Sequence, residues 1–201
     1  MKETERKSKV ESSEKQHYAD LGMTQEEYRQ AREKTENIVR AGIFLALIWL
    51  LLIAANLIPF MSFSSRVLAA CLLLFSVLRL GLLSGILIFI AANALSFAYP
   101  GPLQNLAFLI YLGPYVLLAF ALNRLSKSRW IIAVRVLLGS GLFLLVLAFY
   151  EQSFLSLEQY PILEEYFWPV MFLLGFIGTA VYDYALALVA LLYRKHLARY
   201  I

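Results

Sequence analysis

The sequence predicts an all-α membrane protein, a six-transmembrane-helix bundle that follows a polar, cytoplasmic N-terminal tail. Of its 201 residues, 61% are hydrophobic and 16% are charged, whereas soluble domains average about 45–50% apolar and about 25% charged residues. The charge is also concentrated, because residues 1–40 contain 9 of the 18 Lys and Arg and 9 of the 14 Asp and Glu. The remaining chain is apolar enough to consist of membrane-spanning helices, which excludes an ordinary soluble protein.

The N-terminal tail has two parts. Residues 1–22 are rich in Lys, Glu and Ser, and they contain too few apolar residues to offset the entropy of ordering, so we expect disorder there. Residues 23–40 are predicted to form a juxtamembrane amphipathic helix that continues into the first span. Thr24 and Glu27 have the spacing of a capping box at its start. This helix is either a solvated connector or a docking site for a cytoplasmic partner.

Residues 41–201 are predicted to form the six-span domain. A spanning helix needs about 20 mostly apolar residues, and four stretches meet this length, at 41–60, 103–123, 130–150 and 167–193. The apolar stretch 67–99 is too long for one span and contains Arg79 and Gly81 near its middle. We therefore predict two short helices there, at about 65–79 and 82–99.

The distribution of basic residues predicts the topology. With six spans and a cytoplasmic amino terminus, 16 of the 18 Lys and Arg lie on the cytoplasmic side, as the positive-inside rule requires. The predicted location is a cell membrane, with a multi-pass chain whose N- and C-termini are cytoplasmic. The outer segments are then 61–66, 100–102 and the acidic segment 151–166. This last segment is either a lid over a ligand site or a plain connector.

Asp183 is the only carboxylate within a predicted span. It lies 11 residues before Arg194, which places it roughly 16 Å into the membrane at 1.5 Å per residue. A charge at that depth costs at least about 2.5–3.5 kcal/mol unless it is paired or hydrated. We consider a structural ion pair between Arg135 and Asp183, a link from Asp183 to a tyrosine, a role in handling substrate or protons, and a contact with a partner protein.

Gly113 and Pro114 interrupt the fourth predicted span. Proline has no backbone N–H, so such a break leaves carbonyl groups for neighbouring side chains or a ligand, and broken helices often line transporter binding sites. The predicted substrate-binding residues are Asn93, Tyr111, Tyr115, Glu151 and Asp183. For each of them, packing or hydrogen bonding between helices is the alternative.

The common enzyme classes are not indicated. His17 and His196 lie outside the predicted spans, and the chain contains neither an HExxH zinc motif nor a Walker A motif. The single cysteine, Cys71, lies in an apolar run. We therefore predict no catalytic residue, no metal site and no cofactor. We expect membrane lipid as a partner. We do not expect nucleic acid, because the basic residues cluster at the ends of the spans rather than along one surface.

Residues 72–102, with the sequence LLLFSVLRLGLLSGILIFIAANALSFAYPGP, resemble the short second and third spans of the substrate-binding subunits of energy-coupling factor (ECF) transporters. The wider pattern of six spans also resembles that family over residues 41–193. The resemblance implies a subunit that captures a vitamin-type micronutrient in an outward-facing pocket. It also implies that a transmembrane scaffold subunit and cytoplasmic ATPases drive the uptake. Gly42 and Ala46 match the small residues through which that family contacts the scaffold.

The same stretch also resembles the MreD proteins, which are compact multi-span scaffolds of bacterial cell-wall and cell-shape machinery. This resemblance implies cell-wall elongation proteins as partners and no solute. Abundant polar and aromatic groups on the outer side, with a pocket between the spans, favour the capture subunit with its small-molecule ligand. A closed, apolar outer face favours the scaffold.

Overall fold

The computed structural model describes residues 24–99, 101, 103–125, 130–154, 161–193 and 195. Helices make up the regular structure of this part of the chain. The long helices are α1 (Gln25–Leu57), α2 (Ser62–Leu80), α3 (Leu82–Ala98), α4 (Gly113–Leu125), α5 (Trp130–Phe154) and α6 (Pro161–Leu192). Short 3-10 turns cover Pro59–Met61 and Leu103–Asn105, and a π-helical segment, Ala107–Leu112, runs directly into α4. The predicted disordered tail, residues 1–22, lies outside the described residues.

Five of the described segments are long and apolar enough to cross a membrane: Glu26–Leu57, Ser62–Leu80, Ala107–Arg124, Trp130–Phe149 and Phe167–Leu192. The protein is therefore an all-helical membrane protein. Helix α3 is apolar but has only 17 residues. At 1.5 Å per residue it is about 26 Å long, slightly less than the roughly 30 Å thickness of a hydrocarbon core.

Helix α1 begins with the predicted capping box. The Thr24 amide and hydroxyl both donate to Oε2 of Glu27 at 2.8 Å, and the Glu27 amide donates back to the Thr24 hydroxyl at 3.4 Å. These bonds satisfy backbone donors that the first turn of a helix leaves open. They also stabilise the carboxylate, so the pKa of Glu27 lies below its ordinary value of 4.5. The chain divides at Gly42 into two compact units, and the bundle described below belongs to the second.

Gly81 separates α2 from α3, at the break that the sequence predicts. Its φ of 92° lies in the left-handed region, where glycine has no steric penalty. Gly85 then packs so closely on Val77 that a Cβ would clash with that side chain. The two helices form a tight antiparallel hairpin. Helix α2 begins at Ser62, three residues before the predicted start at about 65, so most of the predicted outer segment 61–66, Arg66 included, is helical.

Close contact between α4, α5 and α6 depends on Gly139. A Cβ at Gly139 would lie 2.5 Å from Cε2 of Tyr115 on α4 and 2.5 Å from Cγ2 of Thr179 on α6. Gly175 of α6 has the same relation to the ring of Phe143 on α5. These glycines let the three helices approach closely around buried Tyr115 and Thr179.

The predicted outer segment, residues 151–166, has a shorter non-helical part than expected. Helix α5 continues to Phe154 and α6 begins at Pro161, so both ends of this segment are helical. In the interior of a helix, a proline such as Pro161 would break the hydrogen-bonding pattern. Proline is instead favoured at the first position of a helix, where its missing N–H would have no intrahelical partner. Residues 155–160 lie outside the described residues.

We predict opposite effects on stability for alanine at two neighbouring glycines of α5. Gly139→Ala should reduce the free energy of unfolding by about 1–3 kcal/mol, because the new methyl group overpacks Tyr115 and Thr179. Gly141 has open space around it, so Gly141→Ala should increase stability by about 0.5–1 kcal/mol through helix propensity. Equilibrium unfolding in mixed detergent micelles measures both values. Equal effects of the two substitutions would contradict the close packing at Gly139.

We predict that the start of α1 depends on pH through Glu27. Because the folded pKa is lowered, the carboxylate stabilises the first turn at pH values above 4.5, and this stabilisation is lost as the pH falls through the folded pKa. Thr24→Ala should speed amide exchange of the first turn by roughly two- to five-fold at pH 7. The effect should shrink at low pH. Hydrogen exchange, normalised to the rates of unstructured peptide, tests this, and a pH-independent effect of Thr24→Ala would contradict it.

Candidate functional site

A buried ion pair joins α5 to α6. Nη2 of Arg135 donates to Oδ2 of Asp183 at 3.0 Å, and the two side chains are only 9% and 11% exposed. A buried carboxylate is stable only when it is paired and hydrogen-bonded, because the loss of hydration is large in a low-dielectric environment. Arg135 supplies the countercharge and a hydrogen bond to one carboxylate oxygen, Oδ2.

Helix α4 supplies the other partners of the pair. The hydroxyl of Tyr115 donates to Oδ1 of Asp183 at 2.8 Å, and Nη1 of Arg135 donates to Oδ1 of Asn123 at 3.0 Å. Each oxygen of the carboxylate thus receives one donor, and the guanidinium is held at two of its nitrogens. We call these four residues the Asp183 cluster. It ties α4, α5 and α6 together at a single point.

A layer of aromatic residues packs beside the Asp183 cluster. The hydroxyls of Tyr111 and Thr179 are 3.0 Å apart, and the Tyr182 hydroxyl donates to the Leu112 carbonyl oxygen at 3.4 Å. The rings of Tyr115 and Tyr182 stack at an angle, with centroids 5.4 Å apart. These tyrosine hydroxyls are therefore used inside the bundle, where they link α4 and its π-helical extension to α6.

Helical periodicity explains which neighbours of Asp183 contribute to the site. Tyr182 is buried, whereas Tyr184 is 67% exposed, since residues two apart lie on different faces of a helix. Thr179 lies four residues before Asp183 and shares its face. The sequence prediction did not select Thr179, although this i, i+4 spacing was visible. It did not select Asn123 either. The one signal in the sequence for Asn123 was its position at the end of a predicted span.

The π-helical segment Ala107–Leu112 accommodates Pro114. The Gly113 amide bonds to the Phe108 carbonyl, five residues back, instead of the usual four. One widened turn thus ends where the proline begins. Tyr111 lies within the widened segment and Tyr115 in the first turn of α4, and their ring centroids are 6.2 Å apart. At the predicted break, Gly113 and Pro114, the chain changes from π-helix to α-helix. Tyr111 and Tyr115 lie on either side of this change.

A cavity of about 380 Å³ borders the Asp183 cluster. It lies between the later parts of α2, α4 and α6 and the first turns of α5. The lining residues are Leu74, Leu78, Ala119, Phe120, Asn123, Arg124, Arg135, Asp183, Leu186, Ala187, Ala190 and Tyr193. Most of this surface is apolar, with a few convergent polar groups, and the volume lies in the range of about 300–1,000 Å³ that ligand pockets occupy.

Three of the predicted substrate-binding residues come together, namely Tyr111, Tyr115 and Asp183. Asn93 is buried in α3, where its amide donates to the carbonyl of Phe89 at 2.8 Å, and it is not among the residues that line the cavity. Glu151 lies outside the residues whose side chains the structure describes. The predicted partner-contact residues Gly42 and Ala46 are both exposed on α1.

A second polar cluster, which we call the Arg66 cluster, lies at the start of α2 and at residues 103–105, at the end of the bundle opposite to the Asp183 cluster. Nη1 of Arg66 donates to the Ser62 hydroxyl and Nη2 to the Gln104 carbonyl, each at 2.6 Å. The Asn56 amide donates to Oδ1 of Asn105 at 3.1 Å. The end of α1, the start of α2 and the turn before the π-helical segment are therefore tied together. The sequence prediction placed Arg66 in the outer segment 61–66 and assigned it none of these partners.

Comparison with known proteins assigns no family to this chain: no family model matches it, and neither a curated protein nor a solved structure is similar to it. The ECF and MreD resemblances of residues 72–102 thus stay predictions. The Asp183 cluster and the cavity beside it are the features from which a function can be inferred.

We predict strong coupling between Arg135 and Asp183. Asp183→Leu alone should reduce the free energy of unfolding by about 3–5 kcal/mol, because it leaves a buried guanidinium without its countercharge. Combining it with Arg135→Met should recover most of the loss, since both charges are then removed. A double-mutant cycle in mixed micelles measures the coupling, with exposed Tyr184→Phe as the control that should change little. Additive effects of the two substitutions would contradict a functional ion pair.

Proposed function

We propose that the protein is an integral membrane subunit that captures a small solute and has no ATPase of its own. The observation that supports this function is the cavity of about 380 Å³ against the buried Asp183 cluster. Ionisable residues inside a membrane bundle typically mark substrate or ion pathways. A pocket of this size with mostly apolar walls and a few fixed polar groups suits a small organic molecule.

The polar groups of the cavity wall are held in place without a ligand. Asp183 is bonded at both oxygens, and Arg135 is held by Asp183 and Asn123. A site that is already ordered loses little conformational entropy when it binds, which strengthens binding for a given set of contacts. This preorganisation is more useful for holding a solute than for packing alone, because apolar residues would pack these helices at no desolvation cost.

The ECF-like sequence of residues 72–102 extends this proposal to vitamin-type uptake. A capture subunit of that kind would use α3 as its short third span, giving six spans with cytoplasmic termini, and would work with a transmembrane scaffold and ATPases. In that orientation the cavity opens towards the cytoplasm, because its lining lies near the ends of α4 and α6 that precede basic segments. This is the side opposite to the outward-facing pocket that the ECF resemblance implies, so we assign the cavity to the release side of an uptake route and not to the first capture of the solute.

A structural scaffold of the MreD kind is the second candidate. The observation that favours it is the Arg66 cluster, which ties α1, α2 and residues 103–105 together at the end predicted to be outer. Uptake needs a route from that end into the bundle, whereas a scaffold needs none. The two candidates thus differ in whether the protein carries a solute at all.

We predict that the protein retains a small molecule through purification and that filling the cavity prevents this. Ala187 lines the cavity on α6, and Ala185 of the same helix does not, although both are exposed. Ala187→Phe should reduce the released solute at least about ten-fold, since the ring occupies the ligand's volume, while Ala185→Phe should leave it unchanged. Mass spectrometry of extracts from the purified, folded variants measures the solute.

The same preparations distinguish the two candidate functions. Released solute together with co-purifying ATPase and scaffold subunits would support uptake. Cell-wall synthesis proteins without any released solute would overturn the capture function in favour of a scaffold. Equal solute from all three proteins would show that the cavity is not where it binds.

A further inference from the structure

The composition of the cavity wall indicates which class of solute it holds. Resting on the solute-capture function above, we propose that the ligand is a small organic carboxylate. Its anionic group meets Arg135 and Arg124, and its apolar body lies against the leucine and alanine side chains. Three features of the cavity wall support this ligand: its positive charge, the unused hydrogen-bond donors of Arg135 and its apolar side chains.

The wall carries an excess of positive charge. Its ionised residues are Arg124, Arg135 and Asp183, two cations and one anion. Arg124 lies against the cavity residue Phe120, with its guanidinium carbon 5.5 Å from the ring centroid. An anion is the ligand that this field attracts, and a cation would be repelled.

Arg135 has donors to spare. A guanidinium carries five N–H groups, and in the described part of the chain those of Arg135 make one bond to Asp183 and one to Asn123. Its Nε is buried and has no hydrogen-bond partner among the described residues. A buried donor without a partner is unfavourable, and carboxylates are the acceptors that match the arginine fork. Nε is closed off from the cavity, whereas Nη1 and Nη2 each keep one N–H without a bond to the described residues, and a carboxylate that enters the cavity would accept hydrogen bonds from these two groups.

Asp183 acts as a positioning residue in this site. It occupies Nη2 of Arg135 and Asn123 occupies Nη1, so the guanidinium plane is fixed before the ligand arrives. Asp183 also cancels one of the two positive charges. The net charge that remains corresponds to a ligand with a single carboxylate rather than a multiply charged phosphate ester.

The apolar part of the cavity wall indicates the chemistry of the ligand's uncharged part. Leu74, Leu78, Ala119 and Leu186 border the space, so a hydrocarbon or aromatic body gains free energy by leaving water. An anionic lipid headgroup is the other source of negative charge near a membrane surface. A headgroup stays at interface depth, whereas the Arg135 side chain is nine-tenths buried between helices. The geometry therefore favours a soluble carboxylate.

Three probes of equal shape and different charge test the proposal: phenylacetate, phenylacetamide and 2-phenylethylammonium. Binding of each to the full chain in phosphatidylcholine nanodiscs is measured by calorimetry and by saturation-transfer NMR. Phenylacetate should bind at least roughly ten-fold more tightly than the other two, because it is the one probe that forms hydrogen bonds to arginine in which both partners are charged. Arg124→Gln should weaken phenylacetate roughly two- to five-fold, as expected for an exposed charge. Arg29→Gln, at an exposed arginine outside the cavity wall, should have no effect.

The outcomes separate this inference from the function on which it rests. Equal binding of the three probes, abolished by Ala187→Phe, would overturn the carboxylate assignment and leave solute capture intact. Preference for the ammonium, or no binding of phenylacetate, would also overturn the assignment, while released solute from the purified protein would still support capture. Loss of phenylacetate binding when phosphatidylglycerol is added would assign the cavity to lipid and overturn the soluble ligand.

Discussion

The contact between Arg135 and Asp183 determines how the second half of the chain packs. A carboxylate between membrane helices must be neutralised within the protein, and the 3.0 Å bond to Arg135 and the 2.8 Å bond from Tyr115 do this. Because these residues come from three helices, satisfying one charge fixes the rotation of α4, α5 and α6 about their axes. The aromatic layer and the cavity wall follow from that arrangement.

Two local features make the arrangement possible. Gly139 removes the side chain that would keep α5 away from Tyr115 and Thr179, and the π-helical turn before Pro114 carries Tyr111 beside Tyr115. Close approach buries the ion pair, and burial makes its electrostatic attraction strong. The Arg66 cluster performs a similar task at the other end of the bundle, between α1, α2 and residues 103–105. Packing forces and polar pairing thus act together at both ends.

Much of the fold was predictable because the membrane limits the possible structures to helices of a given length. Gly81 beside Arg79 marked the hairpin, and Thr24 with Glu27 marked the start of α1. The π-helical turn and the start of α6 at Pro161 were not predictable, since each depends on competition between backbone bonding patterns. Asp183, Arg135 and Tyr115 stood out as polar groups in apolar runs. Asn123 and the cavity did not, because they depend on how helices far apart in sequence are rotated against one another.

The central claim is that Asp183 is an ionised carboxylate held by Arg135 inside the membrane bundle. Infrared difference spectroscopy of the native protein against Asp183→Asn, in lipid at neutral pH, tests it most directly. The substitution should remove a carboxylate stretching band whose frequency is shifted by the hydrogen bonds from arginine and tyrosine. Removal of the carbonyl band of a protonated carboxylic acid would contradict it, because a neutral Asp183 would leave Arg135 without a countercharge among its described partners.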